Sequence, residues 1–115
     1  MEIKIIKNPV ILGDLKNIAE KQFGDLVKAV VDVEKGVMAI GGDLHADEEA
    51  ILLEKGSKQE HLWGINLYSE KQAEDWIEFD SMINIRPSLN NRSRDVEDAK
   101  IRGKIAKIVN LLVKR

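Results

Sequence analysis

The sequence predicts an α+β fold: a mixed or antiparallel sheet of about five strands with three helices, in the order β-α-β-β-α-β-β-α. Three observations carry this reading. Short β-branched runs alternate with stretches of helical periodicity. Two apolar runs flank a tight turn at Glu34-Lys35-Gly36, the signature of a β-hairpin. The chain has 115 residues, 43% apolar and 33% charged, which suffices for one core and not for two. A single domain over residues 1–115 is therefore expected. The first six elements match the ferredoxin-like split βαβ plan, with one strand and one helix added.

Glu2-Ile3-Lys4-Ile5-Ile6 alternates and reads as the first strand. Asn8-Pro9 then offers an N-cap and a first helical residue. Leu12, Leu15, Ala19 and Phe23 recur at helical spacing, and Gly24 is placed to end that helix. Residues 25–33 and 37–40 form the hairpin, and their apolar content suggests strands covered on both faces. A short helix over 46–55 carries Asp47, Glu48 and Glu49 in its first turn, where the helix dipole favours acids. Glu48, Glu49 and Glu54 read as its solvated face. Residues 61–68 form a strand with Trp63, Ile65 and Leu67 on one side. Residues 76–86 are extended again, and Pro87 stops them. The last helix, over about 98–114, shows an apolar stripe of Ile101, Ile105, Ile108, Val109 and Leu112.

Charge narrows the function classes. The net charge of −2 hides a split: residues 86–115 hold nine Lys/Arg against three acids, while the remaining chain carries −8. A basic C-terminal segment is one route to RNA, but a pI of about 5.7 and only five aromatic residues supply base stacking poorly. A basic helix resting on an acidic body explains the same asymmetry. No apolar run approaches the roughly 20 residues of a membrane span, and the N-terminus shows no signal-peptide pattern. The absence of cysteine excludes disulfides, thiolate metal sites and a cysteine nucleophile. A cytoplasmic protein without a membrane partner is expected, and no cofactor is implied.

Three segments carry candidate chemistry. In Gly41-Gly42-Asp43-Leu44-His45-Ala46-Asp47, paired glycines permit a sharp turn, and Asp43, His45 and Asp47 alternate. His45 is the candidate acid or base near neutral pH. The spacing matches no metal motif, so no metal is expected. The simpler reading is that Asp43 or Asp47 caps the helix and His45 makes one hydrogen bond. Asn66 and Asn84 each interrupt an apolar stretch, although Asn is depleted in strands. Gly64, Asn66 and Tyr68 would share one strand face, and Asn84 with Arg86 another. Finally, Arg86 through Arg94 places arginines, amides and the Ser93 hydroxyl before a helix N-terminus, a setting for a carboxylate or phosphate. Arg86 and Arg92 are expected to converge there on an external anion or on Asp43, Asp47 or Glu49.

The strings Ala39–Asp47, Gly56–Tyr68 and Ile83–Pro87 with Asn91-Arg92-Ser93 resemble a family of short prokaryotic proteins known only as a domain of unknown function. The resemblance spans nearly the whole chain. It implies a small stand-alone cytoplasmic protein and brings no activity, cofactor or catalytic residue. The family pattern has Gly and Pro where this chain has Asn90 and Ala99.

Function is thus expected at a small-molecule site for a small anionic ligand, with His45, Asp43, Asp47, Asn66, Asn84, Arg86, Arg92 and Ser93 as its candidates. RNA binding through the basic segment and an interaction module acting as a homo-oligomer are the competing readings.

Overall fold

Alternation in residues 2–6 produces strand β1 (Lys4–Ile6). The computed structural model describes residues 2–115. Val10–Ile11 does not start the first helix as Asn8-Pro9 suggested. It forms a two-residue strand, β2, paired in parallel with β7 (Val113–Lys114) at the far end of the chain. Helix α1 therefore begins only at Leu12 and runs to Lys21. It buries Leu15 and Ala19, whereas Phe23 lies past its end and is 42% exposed.

The hairpin is as the sequence predicts, with β3 (Leu26–Asp32) antiparallel to β4 (Val37–Ile40). Its turn is held by the buried Asp32. One carboxylate oxygen accepts the Glu34 and Lys35 N–H groups at 2.9 and 2.8 Å, and the other accepts the Ser57 hydroxyl at 2.7 Å. Helix α2 (His45–Glu54) and β5 (Leu62–Tyr68) follow. Residues 76–86 depart from the expected strand. Only Ile77–Glu78 pairs with β5, as β6, and the chain then makes short 3₁₀ turns over Met82–Asn84 and Pro87–Leu89. Helix α3 (Ala99–Leu112) is capped by Asp98, whose side chain accepts from the Lys100 N–H.

The expected α+β class, the three helices and the five-stranded sheet are present, and every pair in that sheet is antiparallel, in the order β1-β4-β3-β5-β6. The ferredoxin-like arrangement holds for three strands and fails at the fourth. That plan returns the fourth strand to the edge of the first, whereas β5 here pairs with β3.

This difference decides where α2 lies. The β1-α1-β3 and β4-α2-β5 crossovers step in the same direction across the sheet, yet β1 and β4 run antiparallel. Two crossovers of the same right hand then place their helices on opposite faces. Burial agrees. Leu15, Ala19, Ile105 and Val109 pack with Val27, Val31, Met38, Trp63 and Ile65 on one face. Leu52 of α2 packs with Val30, Ala39 and Leu62 on the other. Sheet residues are therefore buried on both sides, which is why the hairpin strands read as nearly continuous apolar runs.

Candidate functional site

The α2 side of the sheet holds the polar side chains. Alternation sends Lys28 of β3 and Asn66 of β5 to this face, directly opposite one another in register. Between the start of α2 and the turn after β6 lies a cleft of about 170 Å³ lined by Lys28, Leu44, His45, Ala46, Ser81, Met82, Ile83 and Arg94.

Each wall has a local cause. His45 is the first residue of α2 and is only 7% exposed. Its Nε2 lies 2.7 Å from the Ile65 carbonyl oxygen, which can only accept, so Nε2 carries the proton. Burial, the largest influence, pulls the imidazole below its ordinary pKa, and Lys28 adds to this. The ring is therefore neutral at pH 7, and Nδ1 keeps a lone pair with no hydrogen-bond partner among the described residues. No side chain caps α2, because the N-cap position is occupied by Leu44. The N-cap and opening residues of the helix, Leu44, His45 and Ala46, line the cleft, and the exposed Asp47 follows in the first turn.

The opposite wall is built by amides. Asn84 accepts from the Gly64 N–H at 2.8 Å and donates to the Gly64 and Arg94 carbonyls, both at 3.0 Å. It seals the edge of β5 where no strand pairs, as a neighbouring strand would. Gly64 must lack a side chain, since a Cβ there would stand 2.6 Å from Ser81. Asn91 ties the following loop together, donating to the Asn84 and Asp95 carbonyls at 2.7 Å and accepting from the Glu97 N–H at 2.8 Å. Arg94 is fixed by these bonds to its carbonyl and by a 2.6 Å ion pair with Asp80.

The sequence-predicted residues separate into two groups. His45, Asn66 and Asn84 lie at or beside the cleft. Asn66 donates to Glu78 at 2.8 Å and to the Asp80 carbonyl, bracing the strand that leads to Ser81. Asn84 sits in a 3₁₀ turn rather than in a strand, so strand alternation does not place it with Arg86. Asp43 accepts a hydrogen bond from Gln22, and Asp47 is exposed in the first turn of α2. Neither caps the helix. His45 does make the single hydrogen bond of the simpler reading.

The arginine turn is organised differently from the expectation. Arg86 stacks over the Trp63 ring at 4.4 Å and donates to the Gln59 and Leu62 carbonyls, and burial lowers its pKa. Arg92 is exposed and shares no partner with it among the described residues. The anion at that turn is internal. One Glu97 carboxylate oxygen accepts from the Arg92 N–H, the Ser93 N–H and the Ser93 hydroxyl at 3.0, 2.9 and 2.7 Å. Those bonds, the Ser93 hydroxyl foremost, hold the Glu97 carboxyl below its ordinary pKa.

Glu48 overturns the reading of a solvated acidic face. It is 0% exposed, and burial raises its carboxyl from 4.5 to about 9. One oxygen accepts the Gly42 N–H at 3.0 Å and the other has no partner among the described residues. Lys28, Ser81 and Arg94 also escaped prediction. Lys28 left a signal, a charge inside the apolar run 26–31, and Leu44 left another, an apolar residue where a helix wants a cap.

Among the described residues no group of three or more His, Cys, Asp and Glu side chains could hold a metal, and no helix is long and apolar enough to cross a membrane. A larger cleft of about 350 Å³ lies along α1 and β1, but its polar lining (Lys4, Asp14, Asn17 and Lys21) is exposed.

A family model described as "Protein of unknown function (DUF5674)" matches residues 4–112, and the chain belongs to that family. No curated protein and no solved structure matches it. Asn90 adopts a left-handed φ of 58°, a conformation Asn tolerates better than other side chains. Ala99 is the first residue of α3, the helical position that Pro favours.

Proposed function

We propose that the His45 cleft binds a small anion, with His45 able to exchange a proton with it. One observation carries this reading: Lys28, Arg94, the uncapped start of α2 and the unpartnered nitrogen of a buried neutral histidine all line the same 170 Å³ space. Asp80 already neutralises Arg94 and Asp47 offsets the helix terminus, so Lys28 supplies the attraction. That suits one negative charge. The space is small. At about 30 Å³ per water molecule it admits on the order of six heavy atoms, whereas pockets for drug-sized molecules begin near 300 Å³.

The test is urea unfolding at pH 7.5 with sodium propanoate replacing sodium chloride at constant ionic strength. The midpoint should rise with propanoate concentration as mass action requires. Lys28→Met, which keeps the aliphatic stem and removes the charge, should abolish the rise. A midpoint indifferent to propanoate, or a rise that persists in Lys28→Met, would overturn the proposal.

A further inference from the structure

The anion-site reading leaves the ligand's chemistry open, and the walls of the cleft narrow it. We infer that the ligand is a short 2-hydroxycarboxylate, its carboxylate set against Lys28 and the start of α2 and its hydroxyl donating to His45 Nδ1. The inference rests on the anion-site reading and goes one step further, to the substrate class.

The hydroxyl follows from the histidine. Nε2–H is committed to the Ile65 carbonyl, so the remaining ring nitrogen presents a lone pair and no proton. An anion whose every polar atom is an acceptor would set its own lone pairs against that nitrogen. A ligand with an adjacent O–H satisfies it. The obvious alternative donor, an ammonium group, would bring positive charge beside Lys28 and Arg94.

The size and the short alkyl group follow from the rim. Leu44 and Met82 are 57% and 65% exposed, and with Ile83 they flank the cleft. Large apolar side chains left open beside a polar floor gain by covering a methyl or ethyl group. Carboxylate, hydroxyl and a short alkyl chain amount to about six heavy atoms, the number that fits.

The chemistry available there needs only a proton. The neutral imidazole can accept the hydroxyl hydrogen, leaving an alkoxide on the ligand and an imidazolium on the protein, and can return the same proton.

The experiment compares four ligands at pH 7.5 and matched ionic strength by isothermal titration calorimetry on the full chain: the sodium salts of lactate, propanoate and phosphate, and zwitterionic alanine. Lactate is expected to bind about tenfold more tightly than propanoate, the worth of one well-placed hydrogen bond, with alanine and phosphate weaker than both. Propanoate binding as tightly as lactate would overturn the hydroxycarboxylate assignment while leaving the anion site standing. Phosphate or alanine binding tightest would also overturn it. Heat from none of the four would remove the site itself. His45→Phe keeps a ring but no lone pair. If it folds, it should bind lactate and propanoate alike, and a retained preference for lactate would refute the role of Nδ1. The wild-type comparison stands without this variant if His45→Phe fails to fold.

Discussion

Glu48→Gln isolates the energetics of a carboxyl carried by α2 and buried in the fold. The folded chain holds the Glu48 proton up to about pH 9, whereas an unfolded chain releases it near 4.5. Between those values the native state binds more protons than the unfolded state, so stability falls as pH rises, by about 1.4 kcal/mol per unit. From pH 4.5 to 7 this amounts to about 3 kcal/mol. His45 acts in the opposite sense. Its folded pKa lies below 6.5, so its contribution is lost as pH falls below that value. Wild-type stability should therefore fall less steeply just below pH 6.5, where the two groups oppose one another, than between 6.5 and 9. Glutamine preserves the shape of Glu48 and the bond to the Gly42 N–H, but puts an amide donor where the second oxygen has no partner, at a cost of about 1–3 kcal/mol. Glu48→Gln should be the less stable protein at pH 5 and gain on the wild type steadily as pH rises. Urea unfolding with a common m value at half-unit intervals measures this. The stability of Glu48→Gln relative to the wild type should rise by about 1.4 kcal/mol per pH unit from 5 to 8. Curves that run parallel over that range would refute a neutral Glu48 in the fold.

Two further outcomes test the backbone. Gly64→Ala would place a methyl group 2.6 Å from Ser81, and should destabilise by about 1–3 kcal/mol in urea unfolding while weakening anion binding, because Ser81 lines the cleft. Ala99→Pro should raise stability by about 0.4–1 kcal/mol, measured the same way. Asp98 is already extended at φ −80° and ψ 117°, as a residue before proline requires, and it remains the cap of α3.

The parts of the fold legible in the sequence are those fixed by short-range pattern. The hairpin, α2, β5 and α3 each follow from periodicity and a glycine or cap at the boundary, and the structure places them within a residue or two. The parts that were not legible depend on distant partners. Val10–Ile11 reads as helix until Val113–Lys114 arrives to pair with it. Residues 79–86 read as a strand because they are apolar. There the β5 edge is sealed by the side chains of Asn84 and Arg86, and once amide and guanidinium groups fill the edge positions no ladder remains to form. The two asparagines were visible as anomalies, but nothing local in a sequence says that an amide will take the place of a strand.

Glu48 and Lys28 show the same limit from the side of charge. Periodicity assigns an acidic residue in a helix to solvent because that is its cheapest place. Here α2 lies on the face opposite α1 and α3, so the side of α2 that would be free in a two-layer fold is turned onto the sheet. Gly42 gives Glu48 the room to be buried, since a Cβ there would stand 2.8 Å from its Cγ. The placement of β5 beside β3 rather than β1 thus moves a carboxyl and an imidazole from surface to interior and sets a half-buried ammonium beside them. No one of the three is informative by residue type. The strand order that joins them is a long-range property, and it turns an unremarkable helix start into a cleft with an acceptor, a cation and a helix terminus on its walls.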